Sequence, residues 1–558
     1  MLTDMDDAAG RLEALTAQVH HDLSTMVFAT KPWVFPLSHE GQVMPDVVII
    51  GAGQSGLAAA FELKRRGVTN VVILDASREG FEGVWDTYAR NYEIRSPKDI
   101  TGLEGGIPSL TIGSYFVARF GQAAWDAIKR VPRSVWMDYL RWFRSVTDLT
   151  VRNNIRVTDL DFDSEGVTLL LDSGEKLRAR QVILATGMDG GGRWQTPPEL
   201  LNALPSSVLN HSADMFDETR LSGKRVAILG AGAAAFDIAV TALDAGAARV
   251  DMFLRRSELP MRDVVRELEN GGYLVHADRI PDATKWEVAK YMSGLSQAPA
   301  EHHFHRASEF ENFHIHLGSP WREVTWSGHD IQVTTPLDRW TFDHVFAATG
   351  VTVDMAYRPE LAKLNGLAAL WRDRFTPPEG DGESPRLRFP YLDGHYRFVE
   401  RVEGTAPGID RIFAFNALAG LSMGGLAAVS IGTFRFGTRK LADAVTQRLF
   451  DEQIERLVPY LDTFDQPGVT VPLAMAEKLE RARRRLNNEQ SEVTGDIFGT
   501  TSSPTSPTLS ACATEKTEAY KPNRPHSDRP ANSLDHPGIE FVSAEKNGSV
   551  EGANGRHC

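Results

Sequence analysis

Cysteine is nearly absent from the sequence. Of 558 residues only Cys512 and Cys558 are cysteines, and both lie in a polar C-terminal stretch. Enzymes that pass electrons through a cysteine pair need two thiols close together in a folded domain. Haem and iron–sulfur centres likewise need cysteine or histidine in recognisable ligand patterns. These three kinds of redox chemistry are therefore excluded from the folded part of the chain.

Positive charge and long apolar runs are also scarce. The chain has 60 lysines and arginines against 74 aspartates and glutamates, a formal net charge of −14. This acidic balance argues against a general nucleic-acid or anionic-membrane surface. No apolar run is long enough to span a bilayer, and the N-terminus shows no charged-then-apolar leader. We therefore expect a soluble, cytoplasmic protein with a small-molecule substrate and no nucleic-acid or membrane partner; its oligomeric state is left open, a homo-oligomer included.

The chain is organised around a glycine fingerprint that follows its first buried strand. The apolar run Val47–Ile50 leads into Gly51-Ala-Gly53-Gln-Ser-Gly56, and Leu57–Arg66 then carries apolar residues at helical spacing. In this pattern Gly51 permits the tight turn, Gly53 the close approach of a pyrophosphate, and Gly56 the packing of helix on strand. The helix N-terminus adds unpaired N–H groups and a positive dipole end.

An acidic residue completes this first unit. Asp75 follows the second apolar strand, Val71–Leu74, and lies nineteen residues after Gly56. A carboxylate in that position can accept hydrogen bonds from ribose hydroxyls. Strand, glycines, helix and acid together predict a site for a cofactor with a diphosphate and a free adenosine ribose, as FAD has.

A second fingerprint has a different ending. Gly230-Ala-Gly232-Ala-Ala-Ala235 again stands between an apolar strand and a helix, but the next strand ends in Arg255 and Arg256 instead of an acid. Arg255 lies twenty residues after Ala235, nearly the spacing of the first unit. A guanidinium can grip a phosphate bidentately, whereas a carboxylate would repel it. The second site is therefore predicted to bind NADPH through its 2′-phosphate.

These units predict an α/β fold with two Rossmann-like domains for FAD and NAD(P). Two later apolar strands end in the parallel sequences Ala185-Thr186-Gly187 and Ala348-Thr349-Gly350, so Gly187 and Gly350 are also expected at the cofactor sites. From about residue 491 the composition is rich in serine and proline, which cannot bury a core and predicts a disordered tail. The expected divisions are an N-terminal helical extension over 1–45, the FAD domain over 46–221 and 346–460, the NADPH domain over 222–345, C-terminal helices over 461–490 and the tail over 491–558.

Two cofactor sites in one chain predict hydride transfer from nicotinamide to flavin as the first half-reaction. With no thiol pair, haem or iron–sulfur pattern to take the electrons, the predicted acceptor is O2 or a separate partner protein. The alternatives to an oxygenase are therefore an electron-transfer reductase and a regulator that binds both cofactors without turnover. The two intact fingerprints and Asp75 argue against the regulator.

Three histidines in the run His302-His303-Phe-His305 raise the question of a metal. No carboxylate or cysteine is spaced with them in a known ligand pattern, and no step of the predicted chemistry requires a metal. The prediction is that the protein holds no metal.

The order of elements over residues 46–450 resembles that of the two-domain flavin-dependent monooxygenases. Gly83-Val-Trp85 is similar to a Gly-Gly-x-Trp motif of that group, with Glu82 in place of the first glycine. His211, just before the second fingerprint, is similar to the group's linker histidine. The resemblance implies that Trp85 and Arg95 line the flavin or substrate side, and that His211 orients the nicotinamide or is a loop histidine.

Within that group the N-hydroxylating amino-acid monooxygenases are the most similar branch. Ser96-Pro-Lys98-Asp99-Ile100 resembles their Ser-x-x-Lys-Asp-Leu segment with one residue fewer. Their lysine binds the substrate carboxylate, so the resemblance implies that Lys98 anchors the substrate and is a catalytic-site residue together with Arg95 and His211. The implied activity is N-hydroxylation of an amino acid or amine by FAD, NADPH and O2, with repeated oxidation leading to a nitroso or nitro product.

Two other resemblances are alternatives. One is to two-domain flavin hydroxylases that act on small nitrogen heterocycles such as urate. The other is to Baeyer–Villiger and flavin-containing monooxygenases, whose Phe-x-Gly-x-x-x-His signature has Pro205 and Ser207 here in place of phenylalanine and glycine. For the N-hydroxylating branch and the heterocycle hydroxylases alike, the implied substrate is small, polar and nitrogen-containing, whereas the third resemblance implies oxygenation at sulfur or nitrogen.

Overall fold

Short strands alternate with helices along most of the chain in the computed structural model, which describes residues 7–26, 31–426, 429–466 and 468–494. The chain divides into two units, Met1–Phe464 and Asp465–Cys558. All described strands belong to Met1–Phe464. Beyond residue 494 the predicted tail lies outside the described residues.

The strands are short, as expected for the crossover units of an α/β fold. They are β1 Ser38–His39, β2 Gln42–Val43, β3 Val47–Ile50, β4 Val71–Leu74, β5 Val151–Arg152, β6 Val157–Asp163, β7 Gly166–Leu171, β8 Lys176–Ala179, β9 Gln181–Leu184, β10 Gly192–Trp194, β11 Leu209–His211, β12 Arg225–Leu229, β13 Arg249–Phe253, β14 Phe313–His316, β15 Glu323–Trp326, β16 Ile331–Thr334, β17 Arg339–Phe342, β18 His344–Ala347, β19 Val351–Val353 and β20 Ile412–Ala414.

The helices lie before, between and after these strands, and one belongs to the C-terminal unit. They are α1 Ala8–Thr25, α2 Gln54–Arg65, α3 Ile112–Phe120, α4 Gln122–Ala127, α5 Arg133–Val146, α6 Pro198–Ala203, α7 Ala233–Asp244, α8 Val264–Leu268, α9 Gly271–His276, α10 Asp282–Leu295, α11 Glu301–Ser308, α12 Ala362–Leu367, α13 Trp371–Arg374, α14 Ile431–Asp451, α15 Leu457–Asp462 and, in the C-terminal unit, α16 Leu473–Thr494. Among the helices of the described ranges, none has the length and apolar character needed to cross a membrane.

The first parallel sheet contains the first fingerprint. Its strand order is β20-β9-β3-β4-β5, and every neighbouring pair is parallel. The valines and isoleucines of β3 and the whole of β9 are buried or nearly so, as expected for strands covered on both faces. Helix α2 packs against α14, and both contribute side chains to the same apolar core.

The second parallel sheet contains the second fingerprint. Its order is β11-β18-β12-β13-β14, again with every neighbouring pair parallel. Helices α7 and α11 pack together and supply apolar residues to the core beside this sheet. The predicted α/β class with two Rossmann-like units is thereby confirmed.

The two sheets are joined by two segments that pair with each other. The first leaves the first sheet after β9, the second leaves the second sheet after β18, and they meet as the antiparallel pair β10–β19. Smaller antiparallel sheets, β6-β7-β8 and β15-β16-β17, lie outside the two parallel sheets. One cleft is lined by Gln54 at the start of α2 and by Gly230 and Gly232 of the second fingerprint.

Candidate active site

The first fingerprint forms the turn that its sequence predicts. Gly51 has a φ of +104°, and its N–H donates to the carbonyl of Leu74 at 2.7 Å. A Cβ on Gly51 would stand 2.4 Å from the carbonyl oxygen of Ala185, and one on Gly56 would stand 1.9 Å from that of Gly51. Helix α2 then begins with Gly53 as its N-cap. Only glycine therefore fits at Gly51 and Gly56, and the turn leads into a helix N-terminus of the kind that binds a pyrophosphate.

Asp75, the residue after β4, holds the same turn in place through hydrogen bonds. Its buried carboxylate accepts one hydrogen bond from the N–H of Ala52 and another from the N–H of Ser77, each at 2.7 Å. A carboxylate has about four acceptor positions, so roughly two remain for the ribose hydroxyls. The contact of Asp75 with a ribose stays a prediction. The two carboxylate oxygens that would make it are held in place by the N–H groups of Ala52 and Ser77.

The loop that carries the tryptophan motif lies against the fingerprint turn. A Cβ on Gly53 would meet the Cα of Gly83 at 3.4 Å. Glu82, which replaces a glycine of the motif, is buried and accepts hydrogen bonds from Arg144 at 2.7 Å and Asn153 at 2.6 Å. Glu82, which stands where the motif has a flexible glycine, is therefore accommodated by a buried ion pair with Arg144.

Trp85 lies beside the entrance to this turn. Its ring meets that of Trp136 edge-on at 6.5 Å, and the Trp136 indole N–H donates to the side chain of Gln54 at 3.1 Å. The Gln54 amide in turn donates to the carbonyl of Val429 at 2.7 Å, just before α14. This aromatic and amide wall connects the fingerprint to the N-terminus of α14.

The second fingerprint has the same geometry. Gly230 has a φ of +127°, and its N–H donates to the carbonyl of Phe253 at 2.9 Å. Helix α7 begins after Gly232, and Ala235 is completely buried at the position where the first unit has its third glycine. The turn again exposes backbone N–H groups at a helix N-terminus.

The structure separates the two arginines that follow β13. The Arg256 guanidinium donates to the carbonyl of Leu295 at 2.7 Å. Arg255 is exposed, and its side chain makes no hydrogen bond or ion pair with any described residue. Of the pair, only Arg255 is free to bind a phosphate without giving up a partner.

A cleft of about 1430 Å³ is lined by Gln54 at the start of α2 and by the second fingerprint turn. It brings together Trp85 and Arg95 from the first nucleotide-binding unit with Gly230, Gly232, Arg255, Arg256 and Gly350. The other predicted site residues are outside its lining: Gly51, Gly53, Gly56, Asp75, Lys98, Gly187, His211 and Ala235. Sequence reasoning assigned no role to Gln54, Tyr88, Trp194, Asp237, Gln297 and Arg322, which also line it.

Arg95 bridges the two nucleotide-binding units across this cleft. Its guanidinium donates to the carboxylate of Asp237 in α7 at 3.0 Å and to the side chain of Gln297. Asp237 also has the Nδ1 atom of the buried His303 at 2.7 Å. The sequence carries a signal for Asp237, because an acid two residues after Ala235 lies near the N-terminus of the helix that follows the second fingerprint.

Lys98 has partners away from the cleft. Its ammonium donates to the carbonyl of Trp125 at 2.6 Å and lies 4.9 Å from the centre of the same residue's ring. The substrate-anchor role of Lys98 stays a prediction. In this arrangement its ammonium is already paired.

His211 is buried behind the cleft wall. Its Nδ1 accepts the N–H of Ala213 at 3.1 Å, so the proton of the neutral ring is on Nε2, which has no partner among the described residues. Burial lowers the pKa of His211, so the ring is neutral at pH 7. The ring stacks on Trp194 at 5.3 Å, and Trp194 meets Tyr88 edge-on at 5.4 Å. His211 thus supports the aromatic wall of the cleft.

Tyr88 supplies a hydroxyl to that wall. Burial, with a smaller contribution from Asp189, raises the pKa of Tyr88 well above its ordinary value. The hydroxyl is therefore protonated throughout the physiological range and can donate a hydrogen bond to a ligand.

The two parallel glycines end their strands in the left-handed region. Gly187 has a φ of +75° and Gly350 a φ of +83°. The carbonyl of Gly350 accepts the N–H of Gln195 at 2.8 Å, and Thr186 accepts a hydrogen bond from the Asn416 amide at 2.9 Å. The predicted contacts of Gly187 and Gly350 with the cofactors stay predictions.

The histidine run does not assemble into a ligand set. His302 stacks on Tyr92 at 4.2 Å, and His303 pairs with Asp237. Within the described ranges, no group of three or more histidine, cysteine, aspartate or glutamate side chains is arranged to hold a metal ion.

A known protein family matches the first fingerprint and its surroundings. The family described as pyridine nucleotide-disulphide oxidoreductase matches residues 48–269. The chain has no cysteine in that range, so the thiol chemistry named in this description has no residues to perform it.

One relative is similar over nearly its full length. An FAD-dependent urate hydroxylase from Xanthomonas campestris pv. campestris is 40% identical over 457 residues, which is 82% of this chain and 96% of the relative. Among solved structures, ornithine hydroxylase from Pseudomonas aeruginosa has a TM-score of 0.57 at 17% identity and covers 73% of this chain and 100% of its own. Ornithine N-hydroxylase from Kutzneria sp. 744 has a TM-score of 0.56 at 15% identity, covering 73% and 99%. At such identities the two solved structures share the fold with this chain.

Proposed function

The chain belongs to the flavin-dependent monooxygenases, in the family that includes the FAD-dependent urate hydroxylase, and on that premise we propose that it hydroxylates a small, flat nitrogen heterocycle of the urate type with NADPH and O2. The observation that carries this proposal is the 40% identity across 96% of the urate hydroxylase. The match extends over 82% of this chain.

The residues of the first unit fit FAD. The turn at Gly51 and Gly53 has no room for a side chain at Gly51 and leads into the N-terminus of α2, while Asp75 keeps acceptor positions for a ribose. Reduced by NADPH, bound FAD supplies the two electrons with which one oxygen atom of O2 enters the substrate and the other leaves as water.

The residues of the second unit fit NADPH. Gly230 and Gly232 would hold the pyrophosphate against the N-terminus of α7, and the unpaired Arg255 would face the 2′-phosphate. The cleft lies between this turn and Trp85, so a nicotinamide and a flavin bound from opposite sides would share it.

The cleft wall supports a heterocyclic substrate. Tyr88 and Trp194 give it an aromatic surface on which a flat ring can stack, and Gln54 and Gln195 bring amide groups that both donate and accept hydrogen bonds. A urate-type ring presents alternating N–H and carbonyl groups along its edge, which such amides complement. The Tyr88 hydroxyl, protonated because burial raises its pKa, adds a further donor.

N-hydroxylation of an amino acid or amine is the second candidate. It rests on the resemblance of the segment around Lys98 to that of the N-hydroxylating branch. Because the Lys98 ammonium is paired with Trp125 outside the cleft, a carboxylate anchor would require that pair to break. We therefore place the heterocycle first.

An oxygen-consumption screen of the purified yellow protein tests the proposal. NADPH is supplied with urate, xanthine, ornithine, lysine or a polyamine, one at a time, and the product mass is recorded. We expect a urate-type ring to give a product heavier by one oxygen atom, with NADPH, O2 and product in equal amounts.

Other outcomes of the screen contradict the proposal. An oxygenated amine would establish the second candidate instead. NADPH oxidation that needs a partner protein and yields no oxygenated product would indicate an electron-transfer reductase. A colourless protein that takes up no FAD would remove the oxygenase assignment altogether.

A further inference from the structure

The topology of the second sheet fixes where the adenosine end of NADPH must lie. The fingerprint follows β12, Arg255 follows β13, and β14 is the next strand outward; all three strands are parallel. Their carboxyl ends therefore meet at one edge of the sheet, and the dinucleotide extends over that edge. The connection from β14 to β15, residues 317–322, lies beyond Arg255 on the same edge, and we refer to it as the β14–β15 loop.

Hydrogen bonds hold the β14–β15 loop against the end of β13. The N–H of Gly318 donates to the carbonyl of Arg256 at 2.7 Å, and that of Ser319 donates to the carbonyl of Leu254 at 2.8 Å. Trp321 packs edge-on against Phe253 with ring centres 5.6 Å apart. Since the carbonyl of Phe253 also accepts the N–H of Gly230, the loop and the fingerprint turn are built on the same strand end.

Arg322, at the end of this loop, has an unused guanidinium. It is exposed and lines the cleft, and its side chain makes no hydrogen bond or ion pair with any described residue. Its backbone is fixed, because its N–H donates to the carbonyl of Thr334 at 2.8 Å. A fixed backbone with a free guanidinium in an acidic chain is the arrangement expected of an anion ligand.

We propose that Arg322 and Arg255 form the site for the 2′-phosphate of NADPH, one guanidinium from the β14–β15 loop and one from the end of β13. Arg256, the second arginine that the sequence pointed to, is occupied by the carbonyl of Leu295. Arg322, in place of Arg256, is therefore the second specificity-determining residue of this site. The inference rests on NADPH as the reductant of the proposed function, but not on the identity of the substrate.

Glu323, the next residue, also lines the cleft and would oppose an anion placed beside it. It is the first residue of β15 and pairs with Thr334, the residue whose carbonyl holds the backbone of Arg322. Arg322 and Arg255 together bring two positive charges to the cleft against this one carboxylate.

Binding of two nucleotide fragments tests the proposal without turnover. Adenosine 2′,5′-bisphosphate and 5′-AMP are titrated by calorimetry into the full-length, FAD-loaded protein at one ionic strength. They differ only in the 2′-phosphate. We expect Arg322→Ala to weaken the bisphosphate about tenfold or more and 5′-AMP less than about twofold, since charge-assisted hydrogen bonds are lost only with the first.

Two further variants control for charge and geometry. Arg339→Ala removes an exposed arginine of β17 outside the cleft lining and is expected to leave both fragments unchanged. Arg322→Lys keeps the charge but not the forked donors, and should recover part of the bisphosphate affinity. Arg255→Ala is expected to weaken the bisphosphate as Arg322→Ala does.

Failure of the Arg322 proposal and failure of the proposed function would give different results. If the wild type prefers the bisphosphate and Arg322→Ala keeps that preference, or loses both fragments equally, the role of Arg322 is overturned while the proposed function stands. If the wild type binds both fragments alike, the assignment of NADPH is overturned as well. The substrate screen is independent of either result.

Discussion

His344, the first residue of β18, is a histidine kept neutral by its surroundings. Its Nε2 lies 3.0 Å from the side-chain oxygen of Asn210. Burial lowers the pKa of His344 to about 4, and the charges of Arg220 and Lys224 act in the same direction. The unfolded chain binds a proton at this ring near pH 6.5, whereas the folded chain resists it.

This difference predicts a pH-dependent loss of stability. A depressed folded pKa contributes stability that is complete above about pH 6.5 and is lost as the pH falls toward 4, so about 2 kcal/mol should disappear between pH 7 and pH 5. Glutamine at this position can donate to Asn210 but does not titrate. Thermal midpoints at the two pH values should therefore fall further for the wild type than for His344→Gln, and equal falls would contradict the assignment.

At the residue scale, the site also shows which contacts sequence patterns cannot predict. Gly51, Gly53 and Asp75 could be placed because a fingerprint ties each residue to a local turn or strand end. The partner of Arg256 is Leu295, and that of Lys98 is Trp125, each about thirty or forty residues away and set by loop packing. The spacing of residues in the sequence does not encode such contacts. An arginine without a hydrogen-bond partner among the described residues, such as Arg255, therefore cannot be told from a paired one, such as Arg256, by sequence pattern.

At the scale of elements, the segment between α10 and α11 stores backbone strain. Ser296 has a φ of 63° and a ψ of 170°, a region that glycine enters easily and other residues do not. The next residue, Gln297, accepts a hydrogen bond from Arg95, and both Ser296 and Gln297 line the cleft. The strain thus lies where the second nucleotide-binding unit meets the first.

Relief of this strain should be measurable. Ser296→Gly removes a backbone cost of about 1–3 kcal/mol and adds an entropy cost of up to about 1 kcal/mol, so we expect a net gain of about 1 kcal/mol in unfolding free energy. Ser296→Ala keeps the Cβ and should stay close to the wild type. Urea denaturation of the three proteins provides the comparison, and a glycine variant less stable than the alanine variant would show that the conformation is not strained.

The elements themselves were largely predictable where periodicity was strong. The apolar run Val47–Ile50 forms β3 with those bounds, and the helical spacing over Leu57–Arg66 belongs to α2, which spans Gln54–Arg65. Sheet order was not accessible in the same way. The strand β11 follows one crossing segment and β18 precedes the other, and these two strands pair across more than 130 residues.

At the scale of the molecule, the two nucleotide-binding units are connected in more than one way. The crossing segments pair as β10 and β19, and Arg95 of the first unit pairs with Asp237 of the second across the cleft. A cofactor that binds to either turn therefore meets groups fixed by both units. Such an arrangement suits hydride transfer, which needs two rings held in one geometry.

The last prediction concerns how much of the chain this function needs. The residues proposed for FAD, NADPH and substrate lie within Met1–Phe464, and α14 buries eleven residues in that unit. Residues 495–558 are rich in serine and proline and poor in apolar side chains. A chain that ends at Thr494 should keep its flavin absorbance per protein and its product yield to within about twofold, because a terminal segment of such composition is dispensable for folding.

A chain that ends at Ser430 lacks α14 and should lose both the flavin absorbance and the product yield. Loss of flavin in the longer truncate would mean that the tail contributes to the cofactor site, and retention in the shorter one would mean that α14 does not.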